Sequence, residues 1–462
     1  MHNVICEYEI YRLGGNRMKK ISLILFLCII AFSILGAEDK SVIKLIPVYE
    51  KTFQDTIVDV VFDTATVSIS EAKAMGWKTS LLSEKERKKG EVKVSYPKTV
   101  FISDEFYGDG SAYRTEARIY NENGEIVKMI RTRHHRENFT FSANGEYILL
   151  ARLPIESEPG WMGGSLYKTD GTQIWEKYDG GFPRTVSSDG YVAALSYPSW
   201  EGCPPGDYII YDSTGQEVAI IKNPYKGLVI GSAIAKFSKD GEYLLVGFTD
   251  THTKSTFILT TKKGEILWSK EYTYDSFHSI SEIDIFNKLG IAGIFDEYER
   301  SLSNEEVRKY YAFFIDWEGN LKWTVPLEIR GNMIVKISED KEKVYIVSSI
   351  GYLWCIKVNN GEILWTHRES WAPDPLAKGK GWPWEVPRFR KLKIKGDHLY
   401  IIGKQGRNWH SSTLFVFDGE NGKLLKKVEY PLEKITFAKC KEGIGLINIT
   451  KRKMYIFKKV QK

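Results

Sequence analysis

Cysteine and histidine are scarce in this sequence of 462 residues, which contains five cysteines and eight histidines. Beyond residue 37 only Cys203, Cys355 and Cys440 remain, and an odd number of cysteines cannot pair completely. We therefore expect no disulfide framework. The adjacent His134 and His135 would point to opposite faces of a strand, and the other histidines lack metal-ligand spacing. No metal site is predicted.

Sequence motifs for common catalytic machinery are also missing. The chain has no glycine-rich phosphate loop between a strand and a helix and no Gly-x-Ser-x-Gly elbow. Its acidic pairs show no spacing typical of an acid and a base, so we assign no catalytic residue. The net charge of +6 is small for this length, and lysines alternate with acidic residues. This pattern excludes an extended nucleic-acid-binding surface.

Long apolar runs are absent apart from residues 21–35, which are too few to span a membrane comfortably. The basic Met18-Lys19-Lys20 precedes this run and Ala37 follows it, which is typical of a secretory signal. We interpret residues 1–37 as an over-extended start plus a signal peptide; the alternative is an uncleaved anchor. The prediction is an extracytoplasmic protein, periplasmic or secreted, with no transmembrane span after cleavage.

What the sequence does contain is a repeat in which a turn with glycine is followed by a short apolar strand. Residues 360–365 read Asn-Gly-Glu-Ile-Leu-Trp, and tryptophan stands four residues after the glycine in four copies. The seven glycines are Gly124, Gly171, Gly215, Gly264, Gly319, Gly361 and Gly422. The four tryptophans are Trp175, Trp268, Trp323 and Trp365, and at the other copies Lys128, Ala219 and Lys426 replace tryptophan. Such a period of strands and turns predicts a β-propeller.

A second turn signal, as at Asp240-Gly241, lies upstream of most glycine repeats and completes a blade of four strands, A to D from the inside outwards. Seven units run from residue 99. The last three strands lack a fourth, and residues 41–49 are the natural donor that closes the ring. We predict eight blades, or seven if nothing before residue 99 supplies an innermost strand. Residues 38–98 form an N-terminal segment with the closing strand and a short helix, and residues 99–462 form the propeller.

The Asp/Asn-Gly-x-x-x-Trp phrase at residues 170–175 and 360–365 resembles the tryptophan-docking repeat of quinoprotein-like propellers. The resemblance covers residues 99–460. It implies that Trp175, Trp268, Trp323 and Trp365 are structural docks between blades. The family includes quinone-dependent dehydrogenases and cofactor-free scaffolds. Because the chain has no adjacent Cys-Cys pair, a common feature of the quinone-site alcohol dehydrogenases, we expect no cofactor.

The long connections join strands B and C or strands D and A, whereas the A–B and C–D turns are nearly all short. The long connections bring aromatic residues to one face of the disc, namely Trp161, Trp200, Trp371, Trp382, Trp384 and Trp409. We assign Arg184, Lys378 and Lys380 to the same face. Elaborated loops on a rigid scaffold are typical of binding sites, although these rings would also serve to pack their own loops.

The sequence therefore predicts an exported, monomeric propeller that binds a protein or glycan partner through the aromatic face. The alternative is an enzyme that uses the same face, either a quinone-dependent oxidoreductase or a hydrolase or transferase. A purely structural envelope protein is a third interpretation. Residues 369–387 are predicted to be the main recognition element, because prolines stiffen this connection and three tryptophans lie in it.

Overall fold

A computed structural model gives the structure of the protein. It describes residues 44–53, 56–103, 115–120, 125–131, 137–152, 163–179, 181–196, 206–225, 233–250, 254–273, 277–300, 306–327, 332–372, 388–405, 411–438 and 444–460. Eight antiparallel sheets of four strands each form an eight-bladed β-propeller. The predicted all-β fold and the blade count are confirmed, and the seven-bladed alternative is wrong.

The first four blades follow the chain without interruption. Blade 1 contains β2 (Thr56–Ser68), β3 (Glu91–Ser103), β4 (Thr115–Tyr120) and β5 (Ile126–Arg131). Blade 2 contains β6 (Glu137–Phe141), β7 (Tyr147–Arg152), β8 (Gly163–Lys168) and β9 (Gln173–Lys177). Blade 3 contains β10 (Phe182–Val186), β11 (Val192–Leu195), β12 (Tyr208–Tyr211) and β13 (Glu217–Ile221). Blade 4 contains β14 (Ala233–Phe237), β15 (Tyr243–Thr249), β16 (Lys254–Thr261) and β17 (Ile266–Thr273).

Three further blades repeat this order, and the eighth combines both ends of the propeller. Blade 5 contains β18 (Phe277–Phe286), β19 (Gly290–Arg300), β20 (Glu306–Asp316) and β21 (Leu321–Leu327). Blade 6 contains β22 (Met333–Ile337), β23 (Lys343–Ser348), β24 (Tyr352–Lys357) and β25 (Ile363–Arg368). Blade 7 contains β26 (Arg388–Lys395), β27 (His398–Gln405), β28 (Ser411–Asp418) and β29 (Leu424–Tyr430). Blade 8 contains β30 (Ile435–Phe437), β31 (Ile444–Asn448), β32 (Lys453–Val460) and, outermost, β1 (Lys44–Thr52).

The middle strands of each blade are apolar on both faces because each blade is packed between two neighbours. In β15 every residue after Tyr243 is buried, whereas the rim strand β17 alternates between exposed and half-buried positions. The core is accordingly divided into clusters at the contacts between neighbouring blades, which we call seams. One cluster joins Ile294 and Phe314 of blade 5 to Val335 and Ile346 of blade 6. The repeated apolar runs thus encode the stacking of blades.

The four repeat tryptophans lie at these seams, each against the glycine turn of the following blade. A Cβ added to the next glycine would come within 2.9 Å of the ring in every case, in the pairs Trp175–Gly215, Trp268–Gly319, Trp323–Gly361 and Trp365–Gly422. Three of the indole N–H groups donate to a carbonyl of the following blade, at 2.7–3.0 Å. The indole N–H of Trp175 has no acceptor among the described residues. These glycines also have positive φ. A side chain is therefore excluded both by the contact with the indole and by the backbone conformation.

Where the tryptophan is replaced, the seam is filled differently. The methylenes of Lys128 lie against Gly171, and a Cβ there would be 2.4 Å from Lys128 Cγ. At the next exception the blades come closer together, because a Cβ at Gly264 would lie only 2.1 Å from the methyl of Ala219. The ring therefore contains seams of unequal thickness.

Residues 69–90 form the A–B connection of blade 1 and contain two short helices, α1 (Ile69–Ala74) and α2 (Glu84–Lys89). Each helix begins with a capping box, Ser68 with Glu71 and Ser83 with Glu86. In each box the serine hydroxyl accepts a hydrogen bond from the glutamate N–H, and the glutamate carboxylate accepts one from the serine N–H. The sequence predicts a helix at 70–89, but does not indicate that it joins two strands of a blade.

This connection also holds the closing strand in place. Trp77 follows α1, forms an isolated bridge with Tyr49 of β1, and lies with its ring centroid 6.0 Å from that of Tyr49. Its indole N–H donates to the Ser95 carbonyl of β3 at 3.1 Å. On the other side of β1, Lys453 of β32 pairs with Glu50 at 2.7 Å. The closing strand is thus fixed to both of the blades it joins.

Candidate functional site

The connections on the two faces of the propeller differ in length. The A–B and C–D connections are short, for example residues 142–146, 187–191 and 212–216, with residues 69–90 as the exception. The B–C and D–A connections include residues 153–162, 196–207 and 369–387. Apart from residues 69–90, the long connections therefore leave the scaffold on the face that the sequence indicates.

The longest D–A connection, residues 369–387, joins β25 to β26 and is attached to the scaffold at both ends. The N–H of Glu369 donates to the Gly351 carbonyl at 2.9 Å, and the N–H of Phe389 donates to the Ser349 carbonyl at 2.9 Å. Both acceptors lie in the turn between β23 and β24 of blade 6. Both ends of the segment are therefore attached to the same turn.

Trp371 is the one candidate tryptophan whose position is described, and it packs at the base of this connection. Its ring meets Phe389 edge to face, with centroids 5.5 Å apart, and a Cβ added to Gly351 would be 2.6 Å from the indole. The predicted residues that lie outside the described part of the chain are Trp161, Trp200, Trp382, Trp384, Trp409, Lys378 and Lys380.

Arg184 is placed by the structure on β10, the innermost strand of blade 3. Its guanidinium carbon lies 5.0 Å from the ring centroid of Phe182 on the same strand. An innermost strand faces the central channel, so Arg184 belongs to the channel wall and not to a loop.

The channel contains a cavity of about 620 Å³. Its wall is formed by innermost strands of blades 1, 5, 6, 7 and 8 and by the A–B turn of blade 2. Polar side chains in the lining are Asn144, Glu282, Arg390, Lys391 and Lys393. A cavity of this volume is within the usual size range for a small ligand.

Asp284 is at the centre of an ionic group that links three innermost strands. Lys236 of blade 4 donates to Asp284 Oδ1 at 3.0 Å, and Lys336 of blade 6 lies 3.4 Å from the same oxygen. The N–H of Ile337 donates to Asp284 Oδ2 at 3.1 Å. Burial alone would raise the pKa of Asp284, but Lys336, Lys236 and this N–H together lower it. The carboxylate is therefore held ionised between two ammonium groups.

Glu282 lies two residues before Asp284 and responds in the opposite direction. Burial raises the pKa of Glu282, with Lys236 and Lys336 opposing the shift and Asp284 adding to it. A bulge between Ile280 and Glu282 changes the register of β18 at this point. Strand β18 thus contains two carboxyl groups whose pKa values are shifted in opposite directions, upwards for Glu282 and downwards for Asp284.

Sequence reasoning missed this channel group, although a signal for it exists. Lys236 and Lys336 each stand two residues before the serine that opens the A–B turn, in otherwise apolar strands. A charged residue recurring at one position of the innermost strand indicates a shared environment. Their partner Asp284 lies on blade 5, between the blades of the two lysines, and the repeat pattern does not mark it.

No three potential metal ligands come together among the residues that the structure describes. Within the same ranges, no helix is long and apolar enough to cross a membrane.

The described strands define an eight-bladed β-propeller whose long connections, apart from residues 69–90, lie on one face. The sequence matches no protein-family model and no curated protein. Among solved structures, the computationally designed Ika8 protein is similar with 10% identity and a TM-score of 0.50, over 90% of this chain and 99% of that chain. At this identity the likeness concerns the fold alone.

Two natural proteins are also similar in structure. BamB from Moraxella catarrhalis shares 8% identity over 90% of this chain and 100% of that chain, with a TM-score of 0.47. Saccharomyces cerevisiae Sqt1 shares 9% identity over 79% of this chain and 93% of that chain, with a TM-score of 0.46.

Proposed function

We propose that this protein is an exported binding scaffold of the quinoprotein-like type, which captures a protein or glycan partner on the face formed by the B–C and D–A connections. The observation that carries the proposal is the difference in connection length between the two faces. Short turns are sufficient to build a blade, so the long connections, which lie on one face apart from residues 69–90, need another explanation.

The attachment of residues 369–387 supports the same conclusion. Hydrogen bonds at Glu369 and Phe389 fix both ends to one turn, so the ends of the segment are positioned before any partner arrives. Trp382 and Trp384 lie within it, together with Pro383 and Pro387. A segment with restricted conformations loses less entropy on binding, and aromatic side chains dominate many binding interfaces.

Export is the second element of the proposal and depends on residues 1–37. A basic start, an apolar run and a small residue are typical of a secretory signal. Sequencing the N-terminus of the protein recovered outside the cytoplasm tests this element. A chain that begins before residue 21 would contradict it.

The binding face is tested by deleting residues 374–383, which leaves Trp371 and both attachment points in place. Tagged wild-type and deleted proteins are incubated with envelope extract, and captured molecules are identified by mass spectrometry. We expect the deletion to remove a partner that the wild type retains, with no loss of thermal stability.

Two double variants localise the effect. Replacing Trp382 and Trp384 with alanine should also abolish capture. Replacing Ile266 and Leu267 with alanine is the matched control, because these residues are exposed on the rim strand β17, 55% and 43% respectively. Capture that survives the deletion would place the binding face elsewhere, and unfolding of the deleted protein would make the segment a structural plug.

A hydrolase or transferase is the second candidate, favoured by the raised pKa of Glu282 beside the channel cations. A carboxyl group in such a setting is suited to general acid–base catalysis. Hydrolysis of p-nitrophenyl phosphate by wild type, and its loss in Glu282→Gln, would favour this candidate. Equal background rates for both proteins would exclude it for this substrate.

A further inference from the structure

A groove of about 530 Å³ lies in the outer part of the seam between blades 5 and 6. Its two sides are β21, the outermost strand of blade 5, and β25, the outermost strand of blade 6, and residues of β24 line its inner side. Ile363, Thr366 and Arg368 of β25 line the groove and are exposed. The groove is therefore open to solvent along β25.

Strand pairing places four of the lining side chains on one face of blade 6. Tyr352 of β24 lies opposite Arg368 of β25, and Trp354 lies opposite Thr366. Directly opposed residues share a face of a sheet, and so do residues two positions apart on one strand. Trp354 belongs to the same buried cluster as Trp323 of blade 5, so this face is turned towards blade 5.

Two aromatic rings form the apolar inner side of the groove. The ring centroids of Tyr352 and Trp354 are 6.0 Å apart, and the ring planes are nearly parallel, at 17°. The guanidinium carbon of Arg368 lies 5.5 Å from the Tyr352 centroid, and its Nη2 donates to the Ala372 carbonyl at 3.1 Å. The arginine is thus held beside the rings before any ligand binds.

The groove offers hydrogen-bond donors beside this apolar surface. Trp354 is only 8% exposed, yet its indole N–H has no acceptor among the described residues. The comparable N–H of Trp323 donates to the Val358 carbonyl at 2.7 Å, as is usual for a buried indole. Thr366 adds a hydroxyl group and Arg368 adds further N–H groups. A ligand that carries acceptors would satisfy them.

Carboxylate and carboxamide side chains are absent from the described residues that line the groove. His367 also borders it, but the His367 ring lies on the opposite face of blade 6. That ring meets Phe417 edge to face at 5.0 Å, and its Nε2 lies 3.2 Å from Glu369 Oε1. The side chains therefore suit a ligand that accepts hydrogen bonds and has few donors of its own.

A proline-rich segment has this chemistry. Each proline contributes an apolar ring and a carbonyl acceptor but no N–H donor. A saccharide, by contrast, carries hydroxyl groups that also need acceptors. Grooves lined by aromatic side chains are an established means of binding proline-rich segments in the polyproline II conformation. The six residues of β25 extend over about 17 Å, which matches about five residues of polyproline II at about 3.1 Å each.

We propose that the groove between blades 5 and 6 binds a proline-rich segment of a partner protein in the polyproline II conformation. Its rings pack on Tyr352 and Trp354, and its carbonyl groups accept hydrogen bonds from Trp354, Thr366 and Arg368. The site is built from strands β21, β24 and β25. It is therefore independent of whether the long connections capture a partner.

Fluorescence anisotropy of fluorescein-labelled decaproline, titrated with the whole protein, tests the proposal. We expect saturable binding of decaproline and none of a labelled peptide of the same length made of alternating glycine and serine. Trp354→Phe keeps an aromatic ring and removes the N–H, and Thr366→Val keeps the shape and removes the hydroxyl. Each should weaken binding about three- to tenfold, the effect of one hydrogen bond.

Replacing Tyr352 with alanine removes half of the aromatic surface and should weaken binding more than either single hydrogen-bond variant. Tyr178→Ala is the matched control, because Tyr178 is 42% exposed on blade 2 and also lies beside an arginine, with the Arg152 guanidinium carbon 4.6 Å from its ring centroid. This control should bind decaproline as the wild type does.

Thermal unfolding separates a lost site from a misfolded variant. Decaproline should raise the midpoint of the wild type and of Tyr178→Ala, and should leave that of Tyr352→Ala unchanged. Thr366→Val changes an exposed residue and should unfold at the wild-type temperature without peptide. Weaker binding by this variant therefore reports on the groove and not on stability.

Four results would overturn the proposal. The first is the absence of decaproline binding to the wild type, and the second is equal weakening in Tyr178→Ala. The third is displacement of decaproline by an equal concentration of cellohexaose, which would assign the groove to a saccharide. The fourth is binding that is lost on deletion of residues 374–383 but unchanged in Tyr352→Ala, Trp354→Phe and Thr366→Val, which would assign the peptide to the connection.

Discussion

Trp323 of blade 5 and Gly361 of blade 6 form a joint between two blades. The indole N–H of Trp323 donates to the Val358 carbonyl at 2.7 Å, and a Cβ at Gly361 would lie 2.7 Å from Trp323 Cγ. The ring is 8% exposed. The two blades are thus joined by the Trp323 ring of one, which packs where Gly361 of the other has no side chain.

Replacing Trp323 with alanine should lower the free energy of unfolding by about 3–5 kcal/mol, through lost burial and the cavity left behind. Urea denaturation measures the change. Leu364→Ala is the control, because Leu364 is 41% exposed on the neighbouring strand and should change stability by less than about 0.5 kcal/mol. The Gly361→Ala variant completes a double-mutant cycle, in which the pair should be less destabilised than the sum of the single changes. If the changes in unfolding free energy of the two single variants were strictly additive, the contact between Trp323 and Gly361 would not join the blades.

Ala219→Trp would restore the repeat consensus, yet we expect it to destabilise the protein by about 1–3 kcal/mol. The seam has closed around the alanine, since a Cβ at Gly264 would lie 2.1 Å from its methyl group. Thermal denaturation compares this variant with Val218→Trp, a change at the adjacent position, which is 40% exposed. A gain in stability for Ala219→Trp would show that the seam can reopen.

Trp77→Ala should loosen the closing strand more than the rest of the ring. The ring of Trp77 contacts Tyr49 of β1, and its N–H bonds to the Ser95 carbonyl. Hydrogen exchange followed by mass spectrometry should show faster exchange in β1 and β32 than in β15. Leu81→Ala, at a residue 44% exposed in the same connection, should leave the pattern unchanged. Uniform acceleration across the ring would count against this role for Trp77.

Asp284→Asn should cost about 2–3 kcal/mol at neutral pH, because Lys236 and Lys336 would then face each other without a counter-ion. Since the folded pKa of Asp284 is lowered, its contribution is fully present above the unfolded pKa of about 3.9 and is lost as the pH falls through the folded pKa. The stability difference between wild type and variant should therefore be constant above about pH 5 and shrink below about pH 4.

Urea midpoints measured across this pH range give the result. Asp179→Asn is the control, as Asp179 is exposed at the end of blade 2. A stability difference between wild type and Asp284→Asn that persists unchanged in acid would mean that the carboxylate charge is not what joins the three strands.

The repeat made the fold predictable because the sequence of each blade contains its own turn residues. Gly361 and its six counterparts set the phase, and the unmatched strands at the end of the chain required a donor. The role of residues 69–90 was not predictable in this way, since the capping boxes at Ser68 and Ser83 specify helices but not what the helices connect.

The channel was harder to predict because its members are local exceptions contributed by separate blades. Lys236, Asp284 and Lys336 lie on three different blades. The orientation of Arg390 depends on a bulge that no residue type announces. Sequence periodicity describes what the blades have in common, whereas this cavity is formed from what distinguishes them.

The pairing of β1 with β32 imposes an order on assembly. Glu50 and Lys453 are separated by 403 positions. Strand β1 is therefore synthesised long before β32 and cannot pair with it until β32 has been made. Until then the nascent chain carries an unpaired sheet edge at each end, which invites association with other chains. A message truncated before residue 453 would leave those edges permanently open. Such products should form inclusion bodies, while single substitutions in the loops should not.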